Sequence, residues 1–188
     1  LMESQLNIKD AINKKIDFLD QKSGKEYKLN KKTSVLIVRP RGLHLSEKNA
    51  TINGKRISGT FFDLGLSLFH NAKKLLENGS GPYFYLPKLE HYLECRLLNE
   101  VITFCEKKLD LKVGTVKVTV LIETINAVFQ MDEFLWELKD HIVGLNAGRW
   151  DYLFSYQKVY RNTKKVILPD RSKVNMFVPF MSNYNKLL

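Results

Sequence analysis

Stretches typical of β-strands alternate with stretches typical of α-helices along most of this 188-residue chain. The strand patterns are centred near residues 35, 84, 118, 144 and 176, and amphipathic helix patterns separate them. Such alternation predicts a parallel sheet with crossover helices, because parallel neighbours cannot be joined by a tight turn. The predicted fold class is therefore α/β.

The turn after the first strand distinguishes between two possible α/β architectures, a doubly wound sheet and a barrel. A doubly wound dinucleotide fold carries a glycine-rich turn there, whereas this chain has Arg39-Pro-Arg-Gly42. We therefore predict an incomplete TIM (β/α)8 barrel of about five βα units over residues 33–188. Residues 1–32, rich in lysine and asparagine, are predicted to form a peripheral segment. In the barrel part, Asn53-Gly54 predicts a hairpin with a type I′ turn.

The remaining elements of the barrel part follow from hydrophobic periodicity and from turn residues. In chain order we predict a strand at 34–39, a helix at 61–78, a strand at 83–86, a helix at 89–108, a strand at 115–122, a helix at 127–139, a strand at 142–145, a helix at 152–160, and a strand at 174–179 that enters a helix at residue 182.

The composition suits one globular domain, with 44% hydrophobic residues and a net charge of +10. No apolar run reaches the roughly 18 residues of a membrane-spanning helix, and no secretory signal is visible. The lysines are spread along the chain, which favours a solvated surface. A phosphate-bearing cofactor or a nucleic acid are the alternative explanations of the charge.

The cysteines and histidines show no metal-binding spacing. Cys95 and Cys105 share one predicted helix, about 15 Å apart along its axis and beyond disulfide reach. Free thiols of this kind predict a reducing, intracellular compartment. The histidines are interpreted as surface or packing residues, at positions 44, 70, 91 and 141.

Two acids stand at the ends of successive predicted strands. Glu123 closes the apolar run Val118–Ile122, and Asp151 follows the next strand. Because the carboxyl ends of parallel strands meet at one rim, both carboxylates are expected there, and such a pair suits Mg²⁺. The alternative explanation is that each acid caps a helix or pairs with an arginine such as Arg149.

The segment from Gly148 to Asp151 opens a predicted helix. Its free backbone N–H groups and the helix dipole could bind a small carboxylate, although it could equally be only a turn with a capping acid. Arg39, at the end of the first strand, suits the stabilisation of a developing oxyanion, or alternatively a structural salt bridge.

From about Ser34 to Leu188 the chain resembles malate synthase of the shorter form found in bacteria and in peroxisomes or glyoxysomes. Six segments carry the resemblance through their order and spacing: Val38-Arg-Pro-Arg-Gly-Leu-His-Leu45, Phe69-His-Asn-Ala72, Gly79-Ser-Gly-Pro-Tyr-Phe-Tyr-Leu-Pro-Lys88, Val120-Leu-Ile-Glu-Thr124, Gly144-Leu-Asn-Ala-Gly-Arg-Trp-Asp-Tyr152 and Leu168-Pro-Asp-Arg171.

The resemblance implies an acyltransferase of the glyoxylate cycle. It would perform the Mg²⁺-dependent, Claisen-type condensation of acetyl-CoA with glyoxylate and water to give malate and CoA. Glu123 and Asp151 fall on the family's metal ligands, and Arg39 on its catalytic arginine, which also binds glyoxylate. The backbone from Gly148 through Arg149 and Trp150 to Asp151 matches the cradle of the glyoxylate carboxylate. The implied location is cytoplasmic in a bacterium and peroxisomal or glyoxysomal in a eukaryote.

The chain departs from the family pattern in one respect. The family's catalytic base is an aspartate in a C-terminal helical region, and that region and three barrel strands have no counterpart before Leu188. We therefore expect a fragment that is inactive alone.

Two other functional classes remain open at this point. A barrel lyase of the citryl- or malyl-CoA type would use a similar arginine and acid pair. A basic nucleic-acid-binding protein would instead depend on the lysines. The malate synthase interpretation expects the small molecules glyoxylate and acetyl-CoA as partners, with no nucleic acid and no membrane.

Overall fold

The computed structural model describes residues 2–164 and 166–188, so Leu1 and Lys165 lie outside the described residues. The helices of the described residues are α1 (Met2–Ile12), α2 (Gly59–Glu77), α3 (Tyr92–Lys108), α4 (Ile125–Val128), α5 (Met131–Glu137), α6 (Trp150–Tyr160) and α7 (Pro179–Leu187), with a 3₁₀ turn at Arg171–Lys173. The strands are β1 (Asp17–Asp20), β2 (Lys25–Lys28), β3 (Ile37–Val38), β4 (Ser46–Ile52), β5 (Lys55–Ser58), β6 (Tyr83–Leu86), β7 (Lys117–Ile122) and β8 (Ile142–Ala147).

Four strands form one parallel sheet in the order β3-β6-β7-β8, which confirms the predicted α/β class. The buried side chains alternate along the strands, as the pleat requires. Phe84 of β6 and Val118 and Val120 of β7 belong to the same core as buried residues of α2 and α3. Neighbouring strands of this sheet follow one another in the sequence, as they do in a portion of a barrel.

The predicted strand at residues 174–179 is wrong. In its place the chain makes the 3₁₀ turn, which Asp170 caps, and then α7, which begins at Pro179. The Val174 carbonyl accepts hydrogen bonds from the Arg149 guanidinium at 2.8 and 3.2 Å, so it is not paired in a ladder. The segment alternates in burial as a strand would, but a strand forms only where a neighbour pairs with it.

Other elements also begin or end at residues different from those predicted, three of them for an evident local reason. Strand β3 is two residues long rather than six, because as the edge strand it pairs only with β6. Helix α3 begins at Tyr92, where His91 and Glu94 form a capping box. The predicted helix at 127–139 is divided into α4 and α5. Between them Gln130 uses its side chain to accept from the Tyr92 N–H at 3.1 Å.

The predicted hairpin is confirmed. Strands β4 and β5 are antiparallel and are joined by Asn53 and Gly54, whose φ angles of 51° and 74° are those of a type I′ turn. The peripheral segment of residues 1–32 contains α1 and the exposed β1–β2 hairpin. No helix in the described ranges is long and apolar enough to cross a membrane.

The end of the sheet opposite the strand carboxyl ends holds a buried polar network. Glu106 of α3 accepts from the Val116 N–H at 2.8 Å and from the Gly114 N–H at 3.2 Å, and it lies 3.1 Å from His141 Nε2. The other ring nitrogen of His141 lies 2.8 Å from Asn99 Oδ1. This network ties α3 to the beginnings of β7 and β8.

Glu106→Gln should destabilise the protein by about 2 kcal/mol, because the new amide turns a donor towards groups that themselves donate. Urea unfolding measures the change, and Glu100→Gln on the exposed face of α3 is the matched control. Equal free energies of unfolding for the two variants would contradict this role of Glu106.

Candidate functional site

Charged residues from four strands meet at the carboxyl rim of the sheet. Arg39 follows β3, Lys88 lies just after β6, Glu123 follows β7, and Asp151 lies in the first turn of α6 after β8. Strands β7 and β8 pair directly, in parallel, with Ile122 opposite Ala147 at the end of the ladder. Adjacent strands thus deliver the two acids to one place, as parallel topology requires.

Lys88 lies between the two acids. Its ammonium is 2.7 Å from Asp151 Oδ1 and 3.9 Å from Glu123 Oε2. Its backbone N–H donates to Glu123 Oε1 at 2.7 Å, and its backbone has a left-handed φ of 59°. Such a φ is uncommon for a residue with a side chain. The backbone after β6 therefore holds one oxygen of Glu123 in a defined position.

Neither acid caps a helix, although Glu123 does lie near an arginine, with its Oε1 3.7 Å from the Arg39 guanidinium. Thr124 is the N-cap of α4, and Arg149 is the N-cap of α6, so neither acid holds that position. Asp151 pairs with Lys88, whereas the Arg149 guanidinium binds the Val174 carbonyl. Both carboxylates thus face the shared rim, and neither caps a helix.

The two carboxyls differ in their electrostatic environment. The Glu123 side chain is only 1% exposed, and its Oε2 has no hydrogen-bond partner among the residues that the structure describes. Burial, together with the neighbouring Asp151 carboxyl, raises the pKa of Glu123 to about 7. Contact with the Glu123 carboxyl and with the Lys88 ammonium lowers the pKa of Asp151, whose side chain is 43% exposed.

A buried carboxylate oxygen that accepts no hydrogen bond among the described residues, beside a second carboxylate, fits a divalent cation. Glu123 Oε2 has only the Lys88 ammonium near it, at 3.9 Å, and a bound cation would give it a direct contact. Within residues 2–164 and 166–188, no three His, Cys, Asp or Glu residues form a metal-binding group. Magnesium commonly takes one or two carboxylates, with water and substrate oxygens as the other ligands. The Glu123–Asp151 pair could therefore supply two ligands to a divalent cation, with water and substrate oxygens as the others.

Gly148 permits the close approach of β8 to Glu123. A Cβ at position 148 would lie 2.6 Å from the Glu123 Cβ and 3.3 Å from its Cα. Real Cβ atoms essentially never come so near, so any side chain would displace either the backbone or Glu123. The glycine is therefore required by the spacing of the two strands.

Gly148→Ala in the full-length protein should weaken the binding of a divalent cation by Glu123 and Asp151 about tenfold, since displacing the support of a ligand typically costs 10–100-fold. Isothermal titration with MgCl₂ measures the change. Gly144→Ala in the same strand is the control, because a Cβ there meets nothing within 4 Å. A Gly148→Ala protein with the wild-type Mg²⁺ affinity would contradict the requirement.

The start of α6 supplies backbone donors next to Asp151. In the part of the chain that the structure describes, no side chain caps this helix, and the first N–H groups of a helix have no partner inside it. The Gly148 N–H is already engaged: it donates to the Ile122 carbonyl at 3.0 Å and to the Tyr184 hydroxyl at 2.9 Å. The N–H groups that can face an anion therefore begin with Arg149 and continue through Trp150 and Asp151.

Arg39 faces the same rim. Its guanidinium is 3.7 Å from Glu123 Oε1, lies 5.8 Å from the centre of the Tyr85 ring, and is 48% exposed. The salt bridge that we considered as its alternative role is present, but it is long and half-exposed. The group is therefore accessible to a ligand at the rim.

Two residues of this site have contacts that the sequence does not reveal. Lys88 bridges the acids from a left-handed backbone conformation that no local pattern predicts. Tyr184 lies where a strand was predicted to lead into a helix, 33 residues after Asp151. Arg41, two residues after Arg39, does not face the two acids: it binds Asp63 through two bonds of 2.8 Å and Glu47 at 2.9 Å.

Comparison with known proteins identifies relatives along the whole chain. It is 49% identical over 188 residues to the malate synthase of Myxococcus xanthus and 50% identical over 188 residues to malate synthase A of Escherichia coli. These matches cover 100% of this chain and 35% of each relative. A glyoxysomal malate synthase of Candida tropicalis is 48% identical over 192 residues. The chain thus spans about a third of the length of these relatives.

Solved structures support the fold. A lead(II) complex of Haloferax volcanii malate synthase matches with a TM-score of 0.53 and 15% identity, over 99% of this chain and 54% of that one. A citrate lyase from Burkholderia xenovorans matches with a TM-score of 0.50 and 17% identity, over 68% of this chain and 36% of that one. The family model for the malate synthase TIM barrel domain matches residues 35–188. The chain belongs to the malate synthase family and carries part of its TIM barrel domain.

Proposed function

We propose that the protein containing this chain is a malate synthase, which condenses acetyl-CoA with glyoxylate and water to give malate and CoA. Membership of the family supports the reaction class. One observation carries the proposal for the site: Glu123 and Asp151 converge from paired parallel strands. The Lys88 ammonium lies 2.7 Å from Asp151 and 3.9 Å from Glu123.

Different residues of the rim would bind different parts of glyoxylate. The first-turn N–H groups of α6, from Arg149 to Asp151, would accept its carboxylate at the positive end of the helix dipole. Arg39 would donate hydrogen bonds to oxygens that become negative during the reaction. Gly148 would contribute by leaving room rather than by its N–H, which is bonded within the chain.

We propose that Glu123 and Asp151 hold the divalent cation of the site and that this cation is Mg²⁺. When bound, the ion would supply Lewis-acid polarisation of the keto acid. Glu123 would contribute the buried oxygen that lacks a hydrogen-bond partner among the described residues. Asp151 would contribute a carboxylate that stays ionised, since its pKa is lowered. Lys88 would keep the two carboxylates from repelling each other.

Proton removal from the acetyl methyl group requires a base. We propose that this base lies in a part of the enzyme other than residues 2–188, in keeping with relatives about three times as long. The rim described here would then bind and orient the electrophile. Without the base, general-base catalysis worth roughly 10²–10⁴-fold would be missing.

We also propose small-molecule partners only, with no nucleic acid and no membrane. The aromatic run of β6 supports this, because Phe84 is buried in the core rather than displayed for base stacking. The relatives include malate synthases of bacteria and of glyoxysomes. We therefore propose a cytoplasmic location in a bacterium and a peroxisomal or glyoxysomal one in a eukaryote.

The experiment uses the full-length protein with acetyl-CoA, glyoxylate and Mg²⁺, and it follows the release of the CoA thiol. We expect thiol release that needs both substrates and that stops when EDTA removes the metal. Cleavage of malyl-CoA or citryl-CoA without thiol release would indicate a lyase instead. Salt-sensitive binding of RNA, with no reaction, would favour a nucleic-acid-binding protein.

A further inference from the structure

Tyr184 of α7 joins the two strands that carry the acids. Its side chain is buried, with 2% of its surface exposed. Its hydroxyl donates a hydrogen bond to the Ile122 carbonyl and accepts one from the Gly148 N–H at 2.9 Å. Ile122 directly precedes Glu123 in the chain, and Gly148 lies three residues before Asp151. One hydroxyl therefore contacts the backbone one residue before Glu123 and three residues before Asp151.

These contacts lie where the sheet ends. The last pair of the β7–β8 ladder is Ile122 with Ala147, and the Gly148 N–H donates to the Ile122 carbonyl at 3.0 Å just beyond it. Among the described residues, no further backbone hydrogen bond joins the continuations of β7 and β8 past that point. Tyr184 thus adds a second bridge beside the direct hydrogen bond between Gly148 and Ile122, at the point where the pairing of the two strands ends.

Packing holds the Tyr184 ring in place. It stacks on Tyr152, with ring centres 3.9 Å apart and planes 5° from parallel, and Tyr152 stacks in turn on Phe180 at 5.7 Å. Tyr152 follows Asp151 directly in α6. Burial raises the pKa of Tyr184, so its hydroxyl keeps the proton that it donates.

We propose that Tyr184 is a positioning residue for the cation site. Its hydroxyl sets the separation of the β7 and β8 ends, and through them the separation of the Glu123 and Asp151 carboxylates. The proposal rests on the proposed function, because it assumes that these acids bind a divalent cation. Tyr184 itself contacts neither the cation nor the substrate in this scheme.

The test compares Tyr184→Phe with the wild type in the full-length protein, with Mn²⁺ as the probe. The Mn²⁺ affinity and the electron paramagnetic resonance spectrum of bound Mn²⁺ report on ligand geometry, which a change in stability alone would not alter. We expect the dissociation constant to rise about tenfold, the lower end of the usual effect of supporting residues, and the spectrum to change. Tyr156→Phe is the matched control, since this ring packs on the same Phe180 at 4.8 Å.

The outcomes separate this proposal from the one on which it rests. If the wild type binds Mn²⁺ and Tyr184→Phe binds it equally tightly with the same spectrum, the positioning role is refuted and the metal site stands. If the wild type itself binds no Mn²⁺, the metal site fails and the positioning role fails with it. An equal loss in Tyr156→Phe would also refute the role, because it would show a general effect of the aromatic cluster.

A second variant covers the case in which Tyr184→Phe does not fold. Replacing Tyr184 by p-aminophenylalanine keeps the ring and restores a group that can donate to the Ile122 carbonyl. We expect this protein to bind Mn²⁺ within about threefold of the wild type, since the strand ends stay bridged. A loss of tenfold or more in a folded protein would refute the role of the hydrogen bond.

Discussion

Replacing Glu123 by Gln in the full-length protein should weaken Mg²⁺ binding by about 100-fold or more, and Asp151→Asn should do the same. Residues that only support a metal ligand are worth 10–100-fold, so a ligand itself should reach at least the upper end. The substitutions keep the volume of the side chain and remove the negative charge that the cation needs. Titration of each protein with MgCl₂, and thiol release as a function of Mg²⁺ concentration, measure the effect.

The chain offers a control for this loss of charge. Glu133→Gln removes an acid from the exposed first turn of α5, away from the rim. It should leave the Mg²⁺ affinity unchanged. An unaltered Mg²⁺ dependence in both Glu123→Gln and Asp151→Asn would contradict the site, whereas a loss in only one would show that the other acid is not a ligand.

Replacing Arg39 by Lys should lower kcat about 10²–10³-fold, the usual cost of removing one preorganised donor to a developing oxyanion. Lysine keeps the positive charge but not the planar pair of donors that arginine presents. The charge near Glu123 is thus retained, so the Mg²⁺ affinity should change little. Steady-state kinetics of the full-length enzyme, together with Mg²⁺ titration, separate these two effects.

Arg56→Lys, on the exposed strand β5, is the matched control and should have wild-type kinetics. A kcat for Arg39→Lys within a factor of about three of the wild type would refute the oxyanion role. A parallel loss of Mg²⁺ affinity would instead assign Arg39 to the support of Glu123, which its guanidinium approaches to 3.7 Å.

Much of the fold could be predicted from local pattern. The Asn53-Gly54 hairpin and the strand Tyr83–Leu86 are as expected, because turn chemistry and alternating burial are properties of a few neighbouring residues. The error at residues 174–179 has the opposite cause. Buried and exposed side chains alternate in this segment as they would in a strand. A strand also needs a neighbouring strand to pair with, and here the Val174 carbonyl is bound by Arg149 instead.

For the site, the sequence predicts which residues come together, but not the contacts that they make in space. Acids at the ends of successive parallel strands must arrive at one rim, so Glu123 and Asp151 could be named as a pair without coordinates. Three features depend on the folded backbone: the separation of the acids, the bridging Lys88 ammonium, and the buried Glu123 oxygen that has no hydrogen-bond partner in the described ranges. The same holds for Tyr184, whose hydroxyl meets Ile122 across 62 residues of chain. Periodicity encodes which face a side chain takes, whereas contacts between distant segments are decided only when packing brings them together.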